Sequence, residues 1–179
     1  MIIVCAFALA VGLAACGQES QPSSSENDGV YVDAGPITYQ LQVSRQLNQY
    51  TVEDKQYLAG LPSGQGVLTP DQLWYGVFLW AKNQTDQYHP TSDRFTITDT
   101  SGNIYKPIAL DTAVNGYAWT SQLLAPTAIE PEPNTTASFG PTQGGLILFK
   151  LPVSIYSNRP LTLTIFPSTG KVATISLDA

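Results

Sequence analysis

The chain has 179 residues with 14 acidic and 8 basic side chains, one histidine and two cysteines, for a formal net charge of −6. Its Lys and Arg residues form no cluster, which argues against a nucleic-acid partner, because phosphate binding needs concentrated positive charge. With one histidine, no cysteine after Cys16 and no methionine after Met1, a soft three- or four-ligand zinc or copper site cannot be assembled, and no cofactor is expected.

The opening MIIVCAFALAVGLAA holds no charge and falls short of the roughly 20 apolar residues that span a bilayer. It reads as the hydrophobic region of a signal peptide. Leu13, Ala14, Ala15 and Cys16, followed by Gly17, resemble the lipobox of bacterial lipoproteins. That resemblance implies a diacylglyceryl group on the Cys16 sulfur, cleavage just before it, and anchoring on the extracytoplasmic face of the cell membrane. The alternative is an ordinary secretory peptide with a coincidental cysteine. Acyl chains anchor by burying methylenes at ~0.8 kcal/mol each, so Cys16 is expected to be an anchor and not a catalyst. From Gln18 to Gly29 the chain is polar except for Pro22 and cannot bury surface to offset its ordering entropy. The expected organisation is a signal peptide over 1–15, a lipidated flexible tether over 16–29 and one domain over 30–179.

A domain of about 150 residues buries about 68 to 70% of its unfolded surface and can hold a core without disulfides. Its dominant period is two. ITYQLQV, residues 37–43, alternates Ile37, Tyr39, Leu41 and Val43 against Thr38, Gln40 and Gln42, as a strand with one wet face does. Thr51 and Asp54 form a possible capping box, and Gly60 offers a stop, which predicts one or two helical turns. RFTIT over 94–98 and NIY over 103–105 flank a turn built on Asp99 and Gly102, a hairpin signal. LILFKL, residues 146–151, is a mostly continuous apolar run and predicts a more buried strand. LTLTIF and KVATISL, around Pro167 to Gly170, predict a second hairpin.

Many short strands separated by Gly and Pro turns argue for an all-β, antiparallel β-sandwich with long irregular loops and at most one short helix. WYGVFLWAKNQTDQ, RFTITDTSGNIYKP, GGLILFKLP and RPLTLTIF, in that order, resemble the immunoglobulin-like domains of unknown function found in bacterial lipoproteins and secreted actinobacterial antigens. Asn83, Asp99, Gly102, Phe149 and Pro152 occupy the matching places, over roughly residues 72–166. The resemblance implies a fold and no particular activity. This chain departs from the pattern at residues 107–133, a stretch longer than the ~12 to 15 residues usual for a loop. Leu110, Tyr117, Trp119 and Leu124 within it point to packing and not to disorder.

QLWYGVFLWAKN, residues 72–83, stands out because both of its faces are apolar: Trp74, Gly76, Phe78 and Trp80 on one, Tyr75, Val77, Leu79 and Ala81 on the other. A sandwich strand has one face on the core and one in water, so something must cover the second. Either residues 50–66 or 107–133 fold over it, or part of the aromatic face at Trp74, Phe78 and Trp80 is open to a protein or glycan of the cell envelope.

Catalytic signals are sparse. His89 sits among polar residues, as a solvated loop histidine does, without the nucleophile that a triad requires. Glu53 and Asp54 fit a helix start, and Asp93 and Asp99 lie about 20 Å apart along a strand, too far for a catalytic pair. The leading expectation is a membrane-anchored, non-enzymatic interaction or binding module. The alternatives are a hydrolase working through carboxylates such as Glu53, Asp54 or Asp111, and a calcium-stabilised envelope protein.

Overall fold

The alternating segments form two stacked sheets. The computed structural model describes residues 20–25 and 29–177, so Cys16 and the expected signal segment lie outside the described residues. In chain order the strands are β1 (Ser24–Ser25), β2 (Tyr31–Ala34), β3 (Ile37–Leu47), β4 (Gln72–Asn83), β5 (His89–Pro90), β6 (Arg94–Thr98) and β7 (Ile104–Tyr105). They continue as β8 (Pro107–Ile108), β9 (Leu123–Leu124), β10 (Ile129–Glu130), β11 (Gly145–Pro152), β12 (Thr162–Phe166) and β13 (Ala173–Ser176). Two four-residue helices, α1 (Val52–Lys55) and α2 (Thr136–Phe139), interrupt them.

One sheet runs β1-β13-β12-β6-β7 and the other β2-β3-β4-β11-β8, with β10 added to the far end of β4 and β5–β9 as a separate pair. The pairings are antiparallel except β1 with β13. Between the sheets, Tyr39, Leu41, Val77 and Leu79 of the larger meet Ile97 and Leu163 of the smaller, all buried. Each such side chain contributes roughly 1.5–3 kcal/mol relative to exposure. The chain is an all-β open sandwich.

Both expected hairpins are present. In the first, the Asp99 carboxylate accepts from the Ser101 N–H (3.0 Å), the Asn103 N–H (2.9 Å) and the Tyr105 hydroxyl (2.9 Å), while Gly102 supplies φ +81°. The Asn103 side chain is the main cause that pulls the Asp99 carboxyl down to about 2. Thr51 caps α1 by accepting from the Asp54 N–H at 3.3 Å.

Two expectations need correction. Val43 does not share a face with Ile37, Tyr39 and Leu41, because the register against β4 shifts between Leu41 and Val43. This bulge turns Val43 and Leu47 to the outer side of the sheet, opposite Phe78 and Trp74. The polar run after Cys16 is also not tether throughout. Residues 20–25 dock on the sandwich, with the Gln21 N–H donating to Asp33 Oδ2 (2.7 Å), the Asp33 N–H to the Pro22 carbonyl (2.9 Å) and the Thr174 N–H to the Ser23 carbonyl (3.0 Å). The segment's own main-chain groups make these bonds, one of them to the Asp33 side chain, without apolar burial, which is why composition did not reveal it.

The second face of β4 is covered. Trp74 and Phe78 join Leu47, Tyr57, Leu146 and Leu148 in a buried cluster on the outer side of the larger sheet. Leu58 and Leu61 from one long segment and Ile108, Leu110 and Tyr117 from the other close over it. β11 therefore also buries both faces, Leu146 and Leu148 outward and Ile147 and Phe149 inward.

Candidate functional site

The cover decides the fate of the aromatic strand. Trp74 and Phe78 are each 0% exposed and present no open surface, while Trp80 is half-buried beside Gln40. An open aromatic face is thus not found at Trp74 and Phe78, because both long segments fold onto them. Lys150 Nζ lies over the Trp74 ring, 5.0 Å from its centroid, and adds a cation–π contact. Asp54 is spoken for as well. It accepts from Arg45 (2.6 Å) and from the Asn48 N–H (2.8 Å); burial raises its carboxyl, and these bonds reverse that and hold it below the ordinary value. Asp111 accepts from the Ala113 N–H (2.9 Å) in an exposed turn, and Glu53 is exposed. His89 lies half-buried in β5 beside a depression of about 660 Å³, whose carboxylate, Asp33, is already engaged by Gln21 and Thr38. Among the described residues no three His, Cys, Asp or Glu side chains group as a metal site.

A different acid carries unspent chemistry. β10 pairs antiparallel with the end of β4 so that Glu130 stands opposite Ala81, and Tyr39 stands opposite Ala81 from the other side. Partners in register point to one face, so Glu130 is directed between the sheets in the space left by the small Ala81. Its side chain is 3% exposed. Thr91, Gln122 and the Thr120 N–H are within hydrogen-bonding reach, yet Oε2 has no partner. Burial is the chief cause that pushes this carboxyl up to about 7; the three donors oppose the shift, and no cation is among the groups acting on it.

Trp119 forms the wall beside it. Its indole N–H donates to the Ser92 carbonyl (2.8 Å), and its ring packs edge-on to Phe95 at 5.7 Å and tilted to Tyr39 at 6.1 Å. Its backbone is tied to β11, with the Trp119 N–H donating to the Leu146 carbonyl (2.8 Å) and the Leu146 N–H to the Tyr117 carbonyl (2.7 Å). A side chain at Gly145 would come within 2.6 Å of the indole, so glycine lets the ring lie against the strand. Two cavities meet at Ala118 and Trp119. One, of about 250 Å³, is lined by Glu130, Glu132, Thr120, Gln122 and Thr135; the other, of about 240 Å³, by Asp93, Phe95, Ile108 and Leu148. The arrangement offers a shielded carboxyl with an unused oxygen, an aromatic wall and a second acid at the rim. It is equipped to bind a polar ligand. The sequence showed Glu130 only as an acid set between Ile129 and Pro131, and its burial depends on the β10–β4 pairing.

No family model matches the chain, and no curated protein matches it. Among solved structures it is similar to the YjhA protein from Bacillus subtilis, at TM-score 0.56 and 10% identity over 86% of this chain and 99% of that one. An uncharacterized β-sandwich protein from Clostridium difficile 630 aligns at TM-score 0.46 and 11% identity, over 89% and 97% of the two chains. A conserved hypothetical protein from Bacillus anthracis aligns at TM-score 0.44 and 8% identity, over 84% and 95%. The likeness to YjhA is one of fold, and the chain is a β-sandwich domain.

Proposed function

We propose that this chain is a non-enzymatic ligand-binding module of immunoglobulin-like type, anchored through lipidated Cys16 on the extracytoplasmic face of a bacterial membrane. Its site is the cavity at Trp119 and Glu130. The observation that carries this reading is Glu130 Oε2, a carboxylate oxygen without a partner in a buried side chain that lines a cavity beside an aromatic ring. Native folds rarely leave such an atom unsatisfied, and ligand sites are a place where they do. The lipobox residues Leu13 to Cys16 support the anchor, and the two-sheet architecture supports kinship with the lipoprotein and actinobacterial antigen domains. The test is a thermal-shift screen of the full chain against envelope glycan fragments, in wild type and Glu130→Gln. Stabilisation by a fragment in wild type that the variant loses supports the site; equal stabilisation of both removes it. Mass spectrometry of the membrane fraction tests the anchor, which predicts a diacylated Cys16 and release of Cys16→Ser from membranes.

One observation favours a second reading, a carboxylate hydrolase. Glu130 and Glu132 line the same cavity, one buried with its proton held up to about 7 and the other exposed. A glycosidase needs such a division between an acid and an ionised partner. Release of reducing ends from cell-wall glycan that disappears in both Glu130→Gln and Glu132→Gln selects this reading over the first.

A further inference from the structure

The cavity's charge is one-sided. Glu130 and Glu132 both line it, no cation is among the groups acting on Glu130, and the neighbouring polar residues Thr120, Gln122 and Thr135 are neutral. The Thr91, Gln122 and Thr120 donors leave Oε2 unpaired. A carboxyl held away from water keeps its proton unless a positive charge pairs with it, so the element that would hold Glu130 ionised, and that the cavity lacks, is a positively charged donor. A hydroxyl ligand fills one hydrogen bond and leaves the charge unbalanced. An ammonium group supplies three donors with the charge, and an adjacent indole face attracts it further.

Resting on the binding reading above, we propose that the cavity receives a primary ammonium group of a small ligand, which pairs with the free oxygen of Glu130 and lies against Trp119. Glu132 at the rim favours entry of the same charge, since a cleft lined by one sign of charge concentrates the opposite ion. The Trp119 indole N–H, fixed on the Ser92 carbonyl, reports occupancy directly.

The experiment follows the indole resonances of the full chain in detergent by two-dimensional ¹H–¹⁵N NMR, with Trp119 assigned from Trp119→Phe. It titrates n-butylammonium chloride, its neutral isostere n-butanol, and calcium chloride. The expected result is a saturable shift of the Trp119 resonance with butylammonium alone, weakened about tenfold or more in Glu130→Gln, as loss of one charge-assisted hydrogen bond implies. Glutamine keeps the shape of the side chain and one acceptor oxygen while removing the charge, and unchanged dispersion of the remaining resonances verifies that the variant is folded. Equal shifts with butanol overturn the ammonium assignment and leave a neutral-ligand module standing. A saturable shift with calcium instead assigns the two acids to a metal. No saturable shift from any probe overturns the proposal, and the glycan screen then judges the binding reading by itself.

Discussion

The side-chain amide of Asn115 donates to the carbonyls of both Tyr57 (3.0 Å) and Ala59 (2.9 Å), so the two covering segments are fastened to each other above the outer face of the larger sheet. Asn115 Oδ1 accepts from the Tyr117 N–H (2.9 Å), and Tyr117 stacks edge-on to Tyr57 at 4.8 Å. Asn115→Leu removes three hydrogen bonds and strands two carbonyls at a buried position, and at about 1 kcal/mol each it lowers unfolding stability by about 2–3 kcal/mol. Urea denaturation measures this. An unchanged midpoint would show that apolar packing alone holds the covers.

Because those covers close over Trp74, its fluorescence is shielded. In variants that each retain one tryptophan, acrylamide quenches Trp119, which is half-buried at the meeting of the two cavities, more strongly than Trp74, which is 0% exposed. Quenching of Trp74 equal to that of Trp119 would mean that the covers open in solution, and the aromatic strand would again be a surface.

Glu130 gives the fold a pH dependence of identifiable sign. Its carboxyl rises from 4.5 to about 7 on folding, chiefly through burial, so the native state binds that proton more tightly than the unfolded chain. The resulting stabilisation is complete below the unfolded value and is lost as pH rises through about 7. At 1.36 kcal/mol per pKa unit the loss is about 3 kcal/mol. Asp54 and Asp99 are shifted downward, so their contributions are present throughout this window and fade only in stronger acid. Urea unfolding at pH 5 and pH 8 therefore shows the wild type less stable at pH 8, and Glu130→Gln flattens the difference. A wild type equally stable at both values would place the Glu130 carboxyl in water.

The contrast between the strand at 72–83 and the acid at 130 shows what a sequence exposes. Two apolar faces on one strand demand a cover or a partner, and the strand itself carries that information, so residues 50–66 and 107–133 were legible as candidate covers, while the choice between them and an open face was not. Alternation likewise announced both hairpins, and the Asp99 and Gly102 pair announced the first turn. Glu130 carries no such local mark, because a carboxylate beside prolines in a long loop reads as solvated. Its burial arises from a two-residue pairing with Ala81 and Lys82 and from Thr91, 39 residues away in the chain. The bulge between Leu41 and Val43 was hidden for the opposite reason: the alternation continues unbroken through it while the backbone does not. Docking of residues 20–25 rests on main-chain groups, to which residue type is nearly silent.

The two sheets also meet through a pair of glycines, and this contact predicts how the hairpin turns tolerate substitution. Gly35, between β2 and β3, has φ +58°, and a methyl there would come within 2.1 Å of the Thr169 carbonyl oxygen. Gly170, between β12 and β13, has φ +89°, and a methyl there would lie 2.7 Å from Gly35 Cα. The Gly35 N–H donates to the Lys171 carbonyl at 2.9 Å, so neither turn can retreat without losing that bond. Gly64 has φ +80° but nothing within 4 Å of its virtual Cβ, which makes it the control for backbone strain alone. Gly64→Ala is expected to lower stability by about 1–3 kcal/mol through the left-handed conformation. Gly35→Ala and Gly170→Ala exceed it, since each adds a backbone clash to the same strain. If Gly35→Ala cost no more than Gly64→Ala in urea denaturation, the two turns would not be in contact in solution.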